Sequence, residues 1–368
     1  MSFTVKKNSY TKGKGSMVFT KRSVRLSAAA AAATIAGVVS LTPAVSAAEE
    51  VNIYSYRQPE LIKPLLDAFT QETGIKTNVV FASKGLAERM KAEGENSPAD
   101  LLMTVDIGRL QGAKDLGVTQ SVDNDTINAN IPENLRDPEG HWFGLTTRAR
   151  VIYASKDRVD QDSITYEELA DEKWKGRICT RSGQHVYSIG LFASMVAHHG
   201  EEETEQWLTA VRDNLARKPT GNDRAQVKSI YAGECDISLG NTYYMGKMQT
   251  NEKDPEQKEW AESVRILFPN SDDRGTHVNI SGMVLAKHAP NHDNALKLME
   301  FLSSGEAQEI YAAKNFEYPV LETAEASERV KGWGDLNPDP ISLDVIAKNR
   351  KIASELVDRV AFDDGPAS

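Results

Sequence analysis

Two extended stretches without a helical period, Gly144 to Ala154 and His277 to Leu285, constrain this chain more than any other feature. They read as strands on which the chain crosses from one lobe to another and later returns. Around them the apolar residues fall into repeated units of strand, polar loop and helix. Val51 to Tyr54 is a short alternating run, and Pro59 opens a helix carrying Leu61, Ile62, Leu65, Leu66 and Phe69 until Thr73-Gly74 ends it. Lys76 to Phe81, Ala99 to Val105, Ile178 to Thr180 and Asp236 to Leu239 read as further strands. Helices are expected at 86–93, between Asp106 and Gly117, from Tyr187 through Val196, and over 203–215, 223–231, 294–302, 306–315 and 343–360. Alternation of this kind predicts an α/β fold, each lobe a mainly parallel sheet flanked by helices, with a two-strand hinge. The tail with Trp333, Pro338 and Pro340, together with the last helix, is expected on the second lobe.

Residues 1–47 carry Lys6, Lys7, Lys12, Lys14, Lys21, Arg22 and Arg25, no acid, and then the small apolar run Leu26 to Val39 closed by Val45-Ser46-Ala47. That is a cleavable export signal for the general route, so the mature protein is expected in the periplasm. Losing seven cations takes the formal charge from −10 to −17. An acidic surface of that size argues against nucleic acid and anionic lipid as partners. The remaining 321 of 368 residues exceed what one core usually serves, and no later stretch is long and apolar enough to span a bilayer. Cys179 and Cys235, an even pair in an oxidising compartment, are expected to form a disulfide. Each precedes a tyrosine by eight residues, Tyr187 and Tyr243. A bridge between neighbouring strands would bring both downstream loops to one sheet edge.

Tyr243 and Tyr244 are adjacent and open a helix after a short strand. An amphipathic helix spanning core and surface would place such a pair equally well. Phenols, however, also yield their protons to a hard trivalent cation such as Fe(III). Ligands in open parallel sheets collect where loops leave the carboxyl ends of strands. Three such loops, Ser55 to Gln58, Arg181 to Tyr187 and Gly240 to Tyr244, hold the unusual residues. Tyr54 lies on its strand and is expected in the core, whereas Tyr56 and Gln58 are expected to line the cleft.

Tyr54-Ser55-Tyr56-Arg57-Gln58-Pro59, Ser97-Pro98-Ala99-Asp100, Gly144 to Arg150, Cys179 to Tyr187 and Gly240-Asn241-Thr242-Tyr243-Tyr244 together resemble the periplasmic ferric-ion-binding proteins of iron-import ABC transporters. The resemblance runs over almost the whole mature chain. It implies the two-lobed fold of type II periplasmic binding proteins, divided as 48–147 with 279–320 and 148–278 with 321–368. It implies a monomeric, non-enzymatic carrier that hands its ion to an inner-membrane ABC permease, with Tyr187, Tyr243 and Tyr244 as ligands of Fe(III). Relatives that place a histidine in the first loop differ from this chain, which has Gln58 and Pro59. That departure resembles the subgroup in which three tyrosines act with a bound anion, carbonate or bicarbonate. Three phenolates neutralise Fe(III), so a divalent anion beside them calls for cations. Arg57, Arg148 and Arg150 are the candidates. For Arg57 the competing reading is a surface ion pair, and for Arg148 and Arg150 a hinge salt bridge.

Other functions are less well supplied. A binding protein for another small anion or organic solute would use the tyrosines as stacking or hydrogen-bonding groups, but the three loops offer neither tryptophan platforms nor carboxylates. A hydrolase would need a G-x-S-x-G elbow, paired carboxylates or a cysteine with a base, and none is visible. No histidine pair has zinc-type spacing with a third ligand, so the seven histidines read as structural or surface residues.

Overall fold

The computed structural model describes residues 49–366, so the expected export signal lies outside the described residues. In chain order the elements are β1 (Glu50–Ser55), α1 (Pro59–Thr73), β2 (Lys76–Phe81), α2 (Leu86–Glu93), β3 (Leu101–Val105), α3 (Ile107–Asp115), α4 (Asp125–Asn130) and β4 (Phe143–Ser155). There follow β5 (Ile178–Cys179), α5 (Val186–Asp213), α6 (Asp223–Tyr231), β6 (Ile237–Asn241), α7 (Tyr243–Gln249), α8 (Glu256–Glu262) and β7 (Val264–Leu267). The chain closes with β8 (Val278–Leu285), α9 (His292–Ser303), α10 (Gly305–Asn315), β9 (Tyr318–Pro319), α11 (Glu328–Lys331) and α12 (Leu343–Arg359).

The strands lie in the order β2-β1-β3-β8-β4-β6-β5, with β7 and β9 also paired to β4. Outer strands are parallel, as expected: β1 with β2 and β3, and β5 with β6. The two crossing strands run against their neighbours, so the sheet as a whole is mixed. Strand β4 is the long one, and all thirteen of its residues are buried. Its first half, 143–149, pairs with β8, and its second half turns to β6 and β7. One apolar cluster gathers Ile53, Phe69, Leu101 and Met283, and a second gathers Val151, Tyr153, Val227, Met245 and Trp260.

Local chemistry sets the boundaries. Pro at the first turn of α1 needs no N–H partner, and Gly74, at φ 75°, ends that helix in the left-handed region. Helix α5 runs as one element but breaks at Gly200, at φ 83°, so the two expected helices are distinct segments meeting at a kink. Helix α12 packs along α5 and also reaches α3. There the Arg350 guanidinium stands 3.4 Å from Asp106.

Cys179 and Cys235 form the disulfide, with Cα atoms 5.8 Å apart. Cys179 is on β5, but its register partner on β6 is Ser238. Cys235 lies before β6 begins, so the bridge ties a strand to the turn feeding its neighbour. Parallel pairing of β5 and β6 still brings both downstream loops to one edge.

Candidate metal centre

Strand β6 is buried throughout and ends where Tyr153 lies across it. A Cβ on Gly240 would stand 2.2 Å from the Tyr153 ring, so only glycine admits this crossing. The Tyr153 hydroxyl donates to the Asn241 carbonyl at 2.6 Å, and the Asn241 N–H donates to Asp223 at 3.0 Å. With its strand end pinned twice, the chain turns through buried Thr242 into α7, whose first two residues are Tyr243 and Tyr244. Their rings lie side by side with centroids 4.3 Å apart.

The companion loop leaves β5 and enters α5 at His185. Burial, and next the Arg181 charge, push that imidazole down to about 3, so it stays neutral. Its Nδ1 accepts the Tyr187 N–H at 3.2 Å, capping the helix and fixing the tyrosine one residue inside. The result is a hydroxyl pair: Tyr243 donates to Tyr187 at 3.1 Å. Two phenols from separate strand-end loops therefore meet, and the third ring lies against one of them.

Cations surround this group in two sets. Asp223, fully buried, accepts from Arg150 at 2.8 Å and from Arg181 at 2.9 Å. Glu317, also fully buried, receives Nη2 of Arg57 together with the hydroxyls of Thr146 and Ser281. Ser281 in turn accepts from Arg57 at 2.6 Å and from Arg148 at 3.3 Å. The guanidinium carbons of Arg181 and Arg148 lie 5.2 and 6.0 Å from the Tyr187 ring centroid. Lys247 holds its ammonium 5.0 Å from the Tyr243 ring, and burial, then the Arg57 charge, bring it down to about 8.

A cavity of about 10 Å³ is lined by Arg148, Arg150, Tyr187, Asn241, His277 and Asn279. Nε and Nη2 of both Arg148 and Arg150, and Nδ1 of His277, are buried without a hydrogen-bond partner among the described residues. The four arginine nitrogens are donors, costly to leave unpaired in a buried site, and an anion is the species that satisfies several at once. These donors line one side of the tyrosine group.

Burial, followed by its two phenol neighbours, raises Tyr243 well above the ordinary phenol range. Burial and the Asp223 carboxylate push Tyr244 up to about 12. Both are therefore protonated at neutral pH, and a cation entering here must displace protons. Among the described residues no group of three or more His, Cys, Asp or Glu side chains is placed to hold a metal.

The first loop behaves differently from the tyrosine loops. The Tyr56 hydroxyl caps α2 by accepting the Leu86 and Ala87 N–H groups at 3.0 and 3.1 Å, so its oxygen is committed to structure. Gln58 is exposed at the start of α1. Arg57 is buried and ion-paired, not at the surface, and its Nε donates to Tyr311 at 2.9 Å. Its Nη1 has no protein partner among the described residues and is not walled in. Arg150 takes part in an ion pair and also keeps two spare N–H-bearing nitrogens. Sequence reasoning did not single out Arg181 or Glu317, and it placed Asp223 as the first residue of a helix. Asn222 is the cap, and the Asp223 carboxylate faces the arginines.

The family described as bacterial extracellular solute-binding protein matches residues 96–337. The chain is 45% identical over 316 residues to iron uptake protein A1 of Synechocystis sp., covering 85% of this chain and 88% of that protein. It is similar to the crystal structure of the Mannheimia haemolytica ferric iron-binding protein A in an open conformation, with 53% identity, a TM-score of 0.83, and coverage of 86% and 100% of the two chains. A Trichodesmium protein solved in complex with iron and citrate is 43% identical, with a TM-score of 0.82 and coverage of 85% and 99%.

Proposed function

Since this chain belongs to the bacterial extracellular solute-binding protein family, we propose that it captures ferric iron in the periplasm and delivers it to an inner-membrane ABC permease. It is a binding protein and not an enzyme. The observation that carries the reading is the meeting of Tyr187 and Tyr243 hydroxyls at 3.1 Å, with Tyr244 stacked alongside, in a cleft ringed by arginines. The names of its relatives agree: one is an iron uptake protein and two solved neighbours are a ferric iron-binding protein and an iron complex.

In this reading Tyr187, Tyr243 and Tyr244 bind the ion as phenolates from the lobe formed by 148–278 and 321–368. The lobe formed by 48–147 and 279–320 closes over it, bringing Arg57 to the opposite wall. Closure is a population shift, driven by whatever contacts the loaded cleft makes only when shut. Carbonate or bicarbonate would be held by the spare N–H groups of Arg148 and Arg150 and by Nη1 of Arg57, and would supply oxygen ligands and charge balance. Citrate in that role is the second reading, favoured by the Trichodesmium complex. The protein acts as a monomer.

The test is a ferric titration of the purified apo-protein followed in the visible range. One equivalent should produce a phenolate charge-transfer band that a strong chelator removes. Tyr243→Phe and Tyr187→Phe keep the ring and lose only the oxygen, so each should weaken uptake by more than about a hundredfold without unfolding the chain. Running the titration in bicarbonate and in citrate separates the two anions. No band and no uptake would end the proposal.

A further inference from the structure

Glu317 is a carboxylate with no exposure, placed just after α10 and 260 residues from the arginine it grips. Full burial of a carboxylate is expensive unless its oxygens are fully used. Here Oε1 takes Nη2 of Arg57, and Oε2 takes the hydroxyls of Thr146 and Ser281. Burial works against its charge, but Arg57 and Arg148 outweigh that and keep it below the usual carboxylate range. The gripped guanidinium has Nε on Tyr311 and Nη2 on Ser281 and Glu317, which fixes the plane of the fork and leaves Nη1. Ser281 carries the same restraint to Arg148, whose Nε and Nη2 are among the unpartnered buried donors.

Charge counting gives the arrangement a purpose. Arg57, Arg148, Arg150 and Arg181 bring four positive charges, and Asp223 and Glu317 remove two. A ferric ion with three phenolates is neutral. The arginines leave two positive charges and the Lys247 ammonium adds to them, so an anion bound beside that ion would meet a net positive surround.

We propose that Glu317 is a positioning residue for the anion at the metal site, holding Arg57 directly and Arg148 through Ser281 so that their spare N–H groups face the cleft. This rests on the reading of the cleft as a ferric site with a synergistic anion. Both carboxylate oxygens are taken up by protein donors. Glu317 acts through the arginines, and the residue before it meets the helix that carries Tyr243 and Tyr244. The Phe316 ring packs on α7 at Gly246, where a Cβ would stand 2.4 Å from it.

The experiment compares ferric affinity with and without bicarbonate in the wild type, Arg57→Gln, Glu317→Asp, Glu317→Gln and Ser281→Ala, together with the Arg57→Gln/Glu317→Asp pair. Glu317→Asp keeps the charge and withdraws it by one methylene. Glu317→Gln keeps the reach and one acceptor. Ser281→Ala strands no charge, which keeps the test available if a Glu317 variant does not fold. We expect bicarbonate to tighten wild-type binding, and Glu317→Asp to lose about tenfold to a hundredfold of that enhancement, as Arg57→Gln does. The pair should lose no more than Arg57→Gln alone, and Ser281→Ala should lose part. The charge-transfer maximum should move in the same variants, which a purely structural role would not produce. Wild-type enhancement and an unshifted band in Glu317→Asp and Ser281→Ala, whatever their melting temperatures, would overturn the inference. So would a wild type that takes up iron with no response to bicarbonate, and that result leaves the ferric reading intact. A wild type that takes up no iron overturns the ferric reading and this inference with it.

Discussion

At the level of single residues the cleft is governed by where phenol protons sit. Tyr243 and Tyr244 hold theirs tightly, because burial and neighbouring negative groups disfavour the phenolate. A trivalent ion reverses that preference, because its charge stabilises the phenolate that burial has left without solvent. The sign of the pH dependence follows. The apo-protein carries the protons and the loaded one does not, so acidification favours the apo form. Affinity should fall about tenfold per pH unit for each proton displaced, and approach three such factors if all three tyrosines ligate. Competition against a chelator of known pH behaviour, with proton release measured alongside, checks this. A pH-independent affinity without proton release would mean that the phenols are bystanders. Tyrosines 243 and 244 were legible because their signal is local, two rings at a strand-to-helix junction. Arg57 was visible as a residue but not in its state, because Glu317 and Tyr311 come from far along the chain.

At the level of elements, the site depends on holding two loop ends together and on one close approach. The disulfide closes a separation of 56 residues and ties β5 to the entry of β6. On the chain-entropy model that contributes about 4 kcal/mol. Replacing both cysteines by serine should lower the denaturant midpoint accordingly while changing iron affinity far less, since β6 remains paired to β4. A loss of affinity as large as the loss of stability would show that the bridge positions the tyrosines. The close approach is Gly246 against Phe316. Gly246→Ala should favour the α7 helix itself, yet the added methyl must push the Phe316 ring away. Overpacking of this size predicts a lower melting temperature of the apo-protein together with about tenfold weaker iron binding or more. Unchanged affinity would show that α7 and Phe316 do not need to meet in the loaded state. Most of the longer elements could be read from periodicity and end signals, as with β2 and α2. The short strands β7 and β9 could not, because each exists only by pairing with β4.

For the whole molecule, the two long extended stretches announced the architecture, since β4 and β8 lie side by side and join the two groups of outer strands. Their antiparallel course made the sheet mixed, a consequence of the chain returning along the line on which it left. What the sequence did not show was the pairing of arginines with buried carboxylates, because each pair joins residues far apart along the chain and not neighbours in one segment. The central claim is that three phenol oxygens from two strand-end loops hold one ferric ion. It is tested most directly by locating iron through its anomalous scattering in crystals of the loaded protein. The account predicts a single strong peak within coordination distance of the Tyr187, Tyr243 and Tyr244 hydroxyl oxygens. A peak elsewhere, or none in crystals grown from iron-saturated protein, would contradict it.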